Sequence, residues 1–272
     1  MKRLNKFIMY LILTLTVIIT ILPFIWMISA SFKDIREIFS YPPTIIPDNF
    51  SFSNYLQLFA EYPFARNIFN STFIAVTATT GSLFFCTLGG FGFAKFDFKF
   101  KNQLFLVLIA SMLIPPQSIM IPLFLVFKRI GWVNTFYPLI VPGLANAFGI
   151  FFMRQYMTSI PDSLIEAARI DGGSDFYIFL KIIVPIVKPA LATLGIIFFM
   201  NSWNAFVWPL IILQDIELQT IPVVLTNLQG VIYTPYNLIM AGSVISIIPL
   251  FVVFMFMQQY FISGITAGAV KQ

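Results

Sequence analysis

The chain contains no histidine and a single cysteine, Cys86, among its 272 residues. Histidine acid–base catalysis and histidine metal ligation are thereby excluded, and a lone thiol supports neither an intramolecular disulfide nor a thiolate metal cluster. Charge is also scarce. Lys, Arg, Asp and Glu make up 10% of the residues, against about 25% in soluble domains, too few to clothe a surface in water. No Gly-rich loop ending in Gly-Lys-Ser/Thr is present, so the sequence offers no P-loop. Gly89, Gly90 and Gly92 sit at one end of an apolar run, where small residues let helices approach closely, and read as packing. Cys86 reads as a small buried hydrophobe.

What is present is mostly hydrocarbon: 59% of residues are hydrophobic and the mean hydropathy is +0.90. The apolar runs are long and continuous, unlike the alternating segments of about 10 residues that build a membrane barrel. Set against the roughly 20 residues needed per crossing, they predict an all-α integral membrane protein. Six spans are expected, at about 7–31, 67–94, 102–127, 132–157, 187–213 and 237–261, within one transmembrane domain covering 1–272. The first run exceeds the roughly 7–15 residue core of a signal peptide and reads as an uncleaved span. With the N-terminus inside, Lys33, Arg36, Arg66, Lys128 and Arg129 lie outside and the other 11 of the 16 basic residues lie in the cytoplasm, the bias expected of inner loops. Both termini are then cytoplasmic, with outer loops at 32–66 and 214–236 and a cytoplasmic loop at 158–185. The net charge of +5 follows from topology and anionic lipid, and no nucleic acid is needed to explain it.

No span carries a central Asp, Glu, Lys or Arg, although ion-coupled pumps usually do. Prolines at positions 23, 115, 116, 122, 138, 142, 209 and 249 bend or break the spans instead. The pair Pro115-Pro116 predicts that the third span is two half-helices. Such a chain is a path with kinked walls and no energy source of its own. An intramembrane enzyme or a channel would need a catalytic constellation or a filter ring, and neither is visible.

One hydrophilic island stands out. Between Arg154 and Lys181 lie four acids and three bases. Pro161-Asp162-Ser163 predicts a helix start, with Asp162 or Ser163 as N-cap and Glu166 placed as in a capping box. The helix should stop at Gly172-Gly173, a glycine C-cap signal. A second short helix is expected from Ser174 to Ile183, ending at Pro185. Twin alanines, Ala167 and Ala168, leave room for another surface to come close.

The spacing Glu166-Ala167-Ala168, Gly172, then Ile182-x-Val184-Pro185 resembles the cytoplasmic "EAA" loop of ABC importer permeases. Tyr41-Pro42-Pro43, Ser159-Ile160-Pro161, Pro189-Ala190-Leu191-Ala192-Thr193, Ser202-Trp203-Asn204 and the tail from Gly264 extend the similarity over nearly the whole chain. The group most resembled is the second membrane subunit of carbohydrate importers, which includes the smaller permease of the maltose transporter. The resemblance implies a type I importer fold whose coupling helix lies between the fourth and fifth spans. It implies ATPase coupling by Glu166, Ala167, Ala168, Arg169, Asp171, Gly172, Phe176 and Pro185. The implied partners are a second homologous permease, a dimeric cytoplasmic ATPase that binds ATP and Mg, and an extracytoplasmic sugar-binding protein. The implied location is a bacterial or archaeal cytoplasmic membrane, with no catalysis and no cofactor in this chain.

The outer loop at 214–236 carries Gln219, Thr226, Asn227, Gln229, Tyr233 and Tyr236, groups of the kind that contact sugars. The resemblance places a "scoop" loop here, its tip at Gln229, Gly230 and Tyr233. The alternative is a connector helix burying Val223, Val224, Leu225 and Leu228. Asn201, Trp203 and Asn204 in the fifth span either line the path or hold spans together. The family commonly has an acid after Ser-Trp-Asn, where this chain has Ala205. The alternative functions are a permease of the same family for glycerol-3-phosphate or a secondary sugar transporter. The latter lacks its coupling acids and inverted repeats.

Overall fold

The computed structural model describes residues 2–230 and 234–269, with side chains described for 5–230 and 234–256. Helices α1 (Lys2–Ala30), α2 (Ile35–Ile38), α3 (Ser53–Glu61) and α4 (Phe64–Lys95) come first. Next are α5 (Lys101–Ser111), α6 (Pro116–Arg129), α7 (Tyr137–Ile140), a 3-10 turn (Val141–Gly143) and α8 (Ala147–Met157). Then follow α9 (Asp162–Ile170), α10 (Asp175–Ile178), a π turn (Phe179–Ile183), α11 (Val184–Ile186) and α12 (Lys188–Trp203). Last are α13 (Val207–Ile212), α14 (Ile221–Asn227) and α15 (Tyr236–Ala269). No strand occurs among the described residues.

Three stretches are long and apolar enough to cross a bilayer: Asn5–Ala30, Phe64–Lys95 and Tyr236–Phe256. Two bent pairs bring the number to as many as five: α5 with α6, bent by 98°, and Asp175–Ile186 with α12, bent by 81°. The first bend falls at Pro115-Pro116, where the missing N–H groups end one ladder and start the next. Other prolines act more gently, since Pro23, Pro122 and Pro249 lie within unbroken helices.

The stretch 132–157, expected as a continuous span, is divided. Pro138 and Pro142 confine the chain to α7 and a 3-10 turn, and α8 restarts where the Asn146 side chain accepts from the Gly149 N–H at 3.1 Å. The stretch 187–213 is likewise interrupted after Trp203 and resumes at Val207.

The chain forms two compact units, one of Met1–Ile68 with Ile221–Pro249 and one of Phe69–Thr220 with Leu250–Gln272. In the first, α1 leaves its apolar side chains exposed, as a lipid-facing helix does. The loop after it is ordered by buried polar groups. Lys33 is almost fully buried, donates to Thr44 and pairs with Glu37 at 3.8 Å. Asn54 donates to the carbonyls of Ser31 (2.9 Å) and Lys33 (2.8 Å) and accepts from Asn237 (2.8 Å). Its amide thus ties α3 to the end of α1 and to α15.

The second unit has an apolar core. Phe91, Met153, Met157, Ile165, Ile178, Phe179, Ile183 and Leu194 pack together, joining α4, α8, α9, α10 and α12. Close approach of α4 to α8 depends on glycine. A Cβ on Gly90 would stand 2.6 Å from the Met153 Cβ and 2.9 Å from the Arg154 nitrogen, and one on Gly89 3.2 Å from Ile150. Gly92 has open space around it, so the packing reading holds for the first two glycines.

Candidate functional site

The helix-turn-helix of α9 and α10 is a short knob rooted in the core of the second unit. Ile165 and Ala168 face inward, 4% and 9% exposed, and join the core cluster. Glu166, Ala167, Arg169 and Ile170 face outward, with Ile170 at 86% exposure. A residue pair three apart on one helix shares a face, so inward Ile165 and Ala168 leave the opposite face free. Ala168 therefore seats α9 on its own protein, and the exposed face is carried by Ala167.

The turn is built as the glycines suggested. Helix α9 ends at Ile170, and Gly172 takes φ +83°, a left-handed conformation that side chains with a Cβ rarely adopt. Gly173 N–H donates to Ala168 C=O at 2.9 Å and Gly172 N–H to Arg169 C=O at 3.0 Å, the paired bonds of a Schellman turn. Helix α10 then starts on the Ser174 hydroxyl, which accepts from the Tyr177 N–H at 3.2 Å.

The expected capping box is absent. Pro161 occupies the N-cap of α9 without a side-chain cap bond, because Asp162 is drawn elsewhere. Its carboxylate accepts from Lys95 Nζ at 2.7 Å, and the same ammonium donates to the Ile160 carbonyl. The hydrogen bond from Lys95, then its charge, holds the Asp162 carboxyl below its ordinary range. Across the glycine turn, Arg169 donates from Nε (3.0 Å) and Nη2 (2.9 Å) to one oxygen of Asp175, and its guanidinium lies 5.5 Å from the Phe96 ring. Two ion pairs thus brace the knob, one at each end of α9. Beside it, an open hollow of about 540 Å3 is lined by Asp171, Gly172, Ser174, Tyr177 and Lys181. Phe176, 56% exposed, and Pro185, also exposed, complete the surface.

Sequence reasoning did not find Lys95, Asp175 or Arg154, whose guanidinium sits 3.8 Å from the Phe105 ring. Arg169 and Asp175 are opposite charges flanking a reversing turn, and that is a readable signal. Lys95 lies 67 residues from its partner, and nothing local announces it.

The outer candidates separate. Helix α14 buries Ile221, Val223 and Val224, with Leu228 just beyond it, as the connector reading requires, and Leu225 is half-buried. Gln219 is buried, its side chain reaching the Leu213 carbonyl and its backbone carbonyl accepting from Asn70 at 3.3 Å. It is not a surface group for sugar. Gln229 and Gly230 are exposed, and Tyr233 lies outside the described residues. Trp203 is 3% exposed and stacks on Phe199 at 5.7 Å. Asn204 is exposed, and Asn201 borders a cavity.

Residues 86–267 match the family described as binding-protein-dependent transport system inner membrane component. The chain belongs to this family. Among its relatives, the arabinooligosaccharides transport system permease protein AraQ of Halalkalibacterium halodurans is 36% identical over 93% of this chain and 92% of its own length. The sn-glycerol-3-phosphate transport system permease protein UgpE of Escherichia coli is 30% identical, covering 87% of each. In structure, the chain resembles one in a bacterial ABC transporter involved in the import of the acidic polysaccharide alginate, with a TM-score of 0.86 and 26% identity over 95% of this chain and 97% of that one.

Proposed function

We propose that this chain is a permease subunit of an ATP-driven, binding-protein-dependent sugar importer. It forms half of the translocation path, in one transmembrane domain of six spans, in a bacterial or archaeal cytoplasmic membrane with both termini inside. The spans are α1, α4, the bent pair α5–α6, the broken stretch ending in α8, α12 with α13, and α15. The cargo-loaded binding protein approaches from outside, where Gln229, Gly230 and Tyr233 form the tip of a scoop. A second, homologous permease supplies the other half of the path.

Work enters through the knob. Its exposed Glu166 and Ala167 seat in a cleft of a dimeric cytoplasmic ATPase, with Asp171, Gly172 and Phe176 along the hollow beside it. Ala168, Arg169 and Pro185 position the knob. Closure of the ATPase dimer around ATP and Mg draws two such knobs together. Close-packed interiors transmit displacement with little loss, so the shift reaches α8 and α12 and opens the path outward. Hydrolysis belongs to the partner, and this chain performs no chemistry.

The observation that carries this reading is the braced knob whose inner face is locked in core while Glu166 and Ala167 stand exposed on its outer face. The test is Glu166→Lys with Gly172→Pro. The first reverses the docking charge, and the second demands a φ near −65° where the turn needs +83°. Expected is normal membrane insertion with uptake abolished and the ATPase lost from pull-downs; full transport by the double variant sinks the reading. The relative named for glycerol-3-phosphate supports a second cargo class. An anionic cargo calls for basic residues along its route, and Arg66 is the candidate at the outer mouth.

A further inference from the structure

The two interruptions that divide expected spans both border one cavity of about 240 Å3 in the second unit. One is the stretch between the 3-10 turn and α8; the other separates α12 from α13. Broken helix at membrane depth leaves backbone groups without ladder partners, and it is tolerated where it is buried in protein or lines a watered cavity. Several of those groups are satisfied here. Ser82 Oγ donates to the Gly143 carbonyl at 2.9 Å, and Trp208 Nε1 donates to the Pro138 carbonyl at 2.9 Å. The latter bond fixes the indole at the cavity wall.

Other polar groups are left over. Asn146 uses its carbonyl oxygen to cap α8, and its side-chain NH2 has no partner among the described residues. The Asn201 amide and Ser202 hydroxyl likewise make no side-chain hydrogen bond among the described residues. All three line the cavity, with Ala205 leaving space beside them and Trp208 presenting an aromatic surface. None of the lining residues is charged.

We propose that this cavity is a subsite for one neutral sugar ring, built wholly from this subunit. Amide and hydroxyl groups of Asn146, Asn201 and Ser202 exchange hydrogen bonds with ring hydroxyls, and Trp208 covers a ring face. The size agrees, because pockets for larger ligands begin at roughly 300 Å3. The absence of lining charge selects against phosphate and carboxylate, whose burial without a counter-charge is costly. This inference rests on the sugar-importer reading and goes beyond it by placing cargo contacts in this chain. A ring released from the binding protein is held here while the path turns inward, so losing the subsite lowers cargo moved per ATP and leaves ATP turnover intact.

The experiment uses the complete transporter with its binding protein in proteoliposomes. Radiolabelled arabinotriose, maltotriose and lactose are the neutral probes; glycerol-3-phosphate and an alginate trisaccharide are the anionic ones. For the neutral probe the wild type moves fastest, Asn201→Ala and Ala205→Leu are expected to lower uptake per ATP about tenfold, the worth of one to two lost hydrogen bonds. Ala205→Ser should stay within about twofold of wild type. Unchanged uptake per ATP in both damaging variants overturns the subsite and leaves the sugar reading standing. Uptake and ATP hydrolysis falling together assigns these residues to the gate instead, which also overturns it. A wild type that moves none of the neutral probes overturns the sugar reading and the subsite with it.

Discussion

The knob of α9 and α10 and the assembly around α3 are both built on short helices, yet they are held by different means. The knob stands on an apolar root and is braced at its rim by two ion pairs: Arg169–Asp175, exposed on both sides, and Lys95–Asp162, which joins a buried ammonium to an exposed carboxylate. The assembly around α3 is fastened mainly by neutral hydrogen bonds in buried places, through Asn54, Asn237 and the carbonyls of Ser31 and Lys33, beside the buried Lys33–Glu37 pair. An exposed ion pair such as Arg169–Asp175 contributes little, about 0–1 kcal/mol, and is easily broken and remade. Buried polar groups are costly to orphan, at about 1–3 kcal/mol. The first arrangement leaves an exposed face at the tip of the knob; the second fixes its groups in buried places.

Two substitutions should break this comparison most visibly. Gly90→Val forces a side chain against Met153 and the Arg154 backbone, beneath the knob's root. Overpacking against backbone is expected to cost about 3 kcal/mol and to lower the thermal midpoint of the purified complex. Uptake should fall with it, because the knob loses its footing. A midpoint equal to wild type would show that α4 and α8 do not depend on this contact. In the first unit, Asn54→Ala orphans two carbonyls and the Asn237 amide at once. The expected loss is about 2 kcal/mol, read in the same melts. Binding-protein-stimulated ATP hydrolysis at low temperature should stay near normal, since the knob is untouched.

A third variant set sharpens the contrast. Arg169→Asp should leave the melting midpoint within a degree or two, since an exposed pair contributes at most about 1 kcal/mol. It should nevertheless reduce coupled transport several-fold, because the knob's outer end is then free to tilt. The exchange Arg169→Asp with Asp175→Arg restores the pair with reversed polarity. Recovery of transport in the double variant supports a bracing role, and failure to recover would assign the Arg169 charge itself to the docking surface.

These variants also mark where the sequence was readable. The Gly172 turn and Ser174 cap are local signals that a few neighbouring residues determine, and both appear where spacing puts them. The local context favours Asp162 or Ser163 as a cap, but Lys95, distant in sequence, takes the Asp162 carboxylate, and α9 starts without a side-chain cap. The inward turn of Ala168 was implicit in the periodicity that places Ile165 on the same face, although twin alanines alone suggest an open surface. Proline identified the break in the third span and the weak point of the fourth, while the restart on Asn146 needed the fold. Gln219 looked like a loop residue because its anchor, Asn70, is 149 residues away.

The smallest expected effect concerns pH. The Asp162 carboxyl is held below its ordinary 3.8 by the Lys95 hydrogen bond and charge. A group whose folded pKa is depressed contributes stability above its unfolded pKa and loses it as pH falls through the folded value. The Lys95–Asp162 brace should therefore be intact at neutral pH and through mild acidity, and fail only below 3.8. Because the carboxylate is largely exposed, the change should be slight and salt-sensitive. Comparing wild type with Asp162→Asn across pH isolates it. The two melts should differ by a small constant amount at neutral and mildly acid pH, and converge only at pH low enough to protonate the wild-type carboxyl. Convergence at or above pH 3.8 would mean that Lys95 does not hold Asp162 charged below its ordinary range.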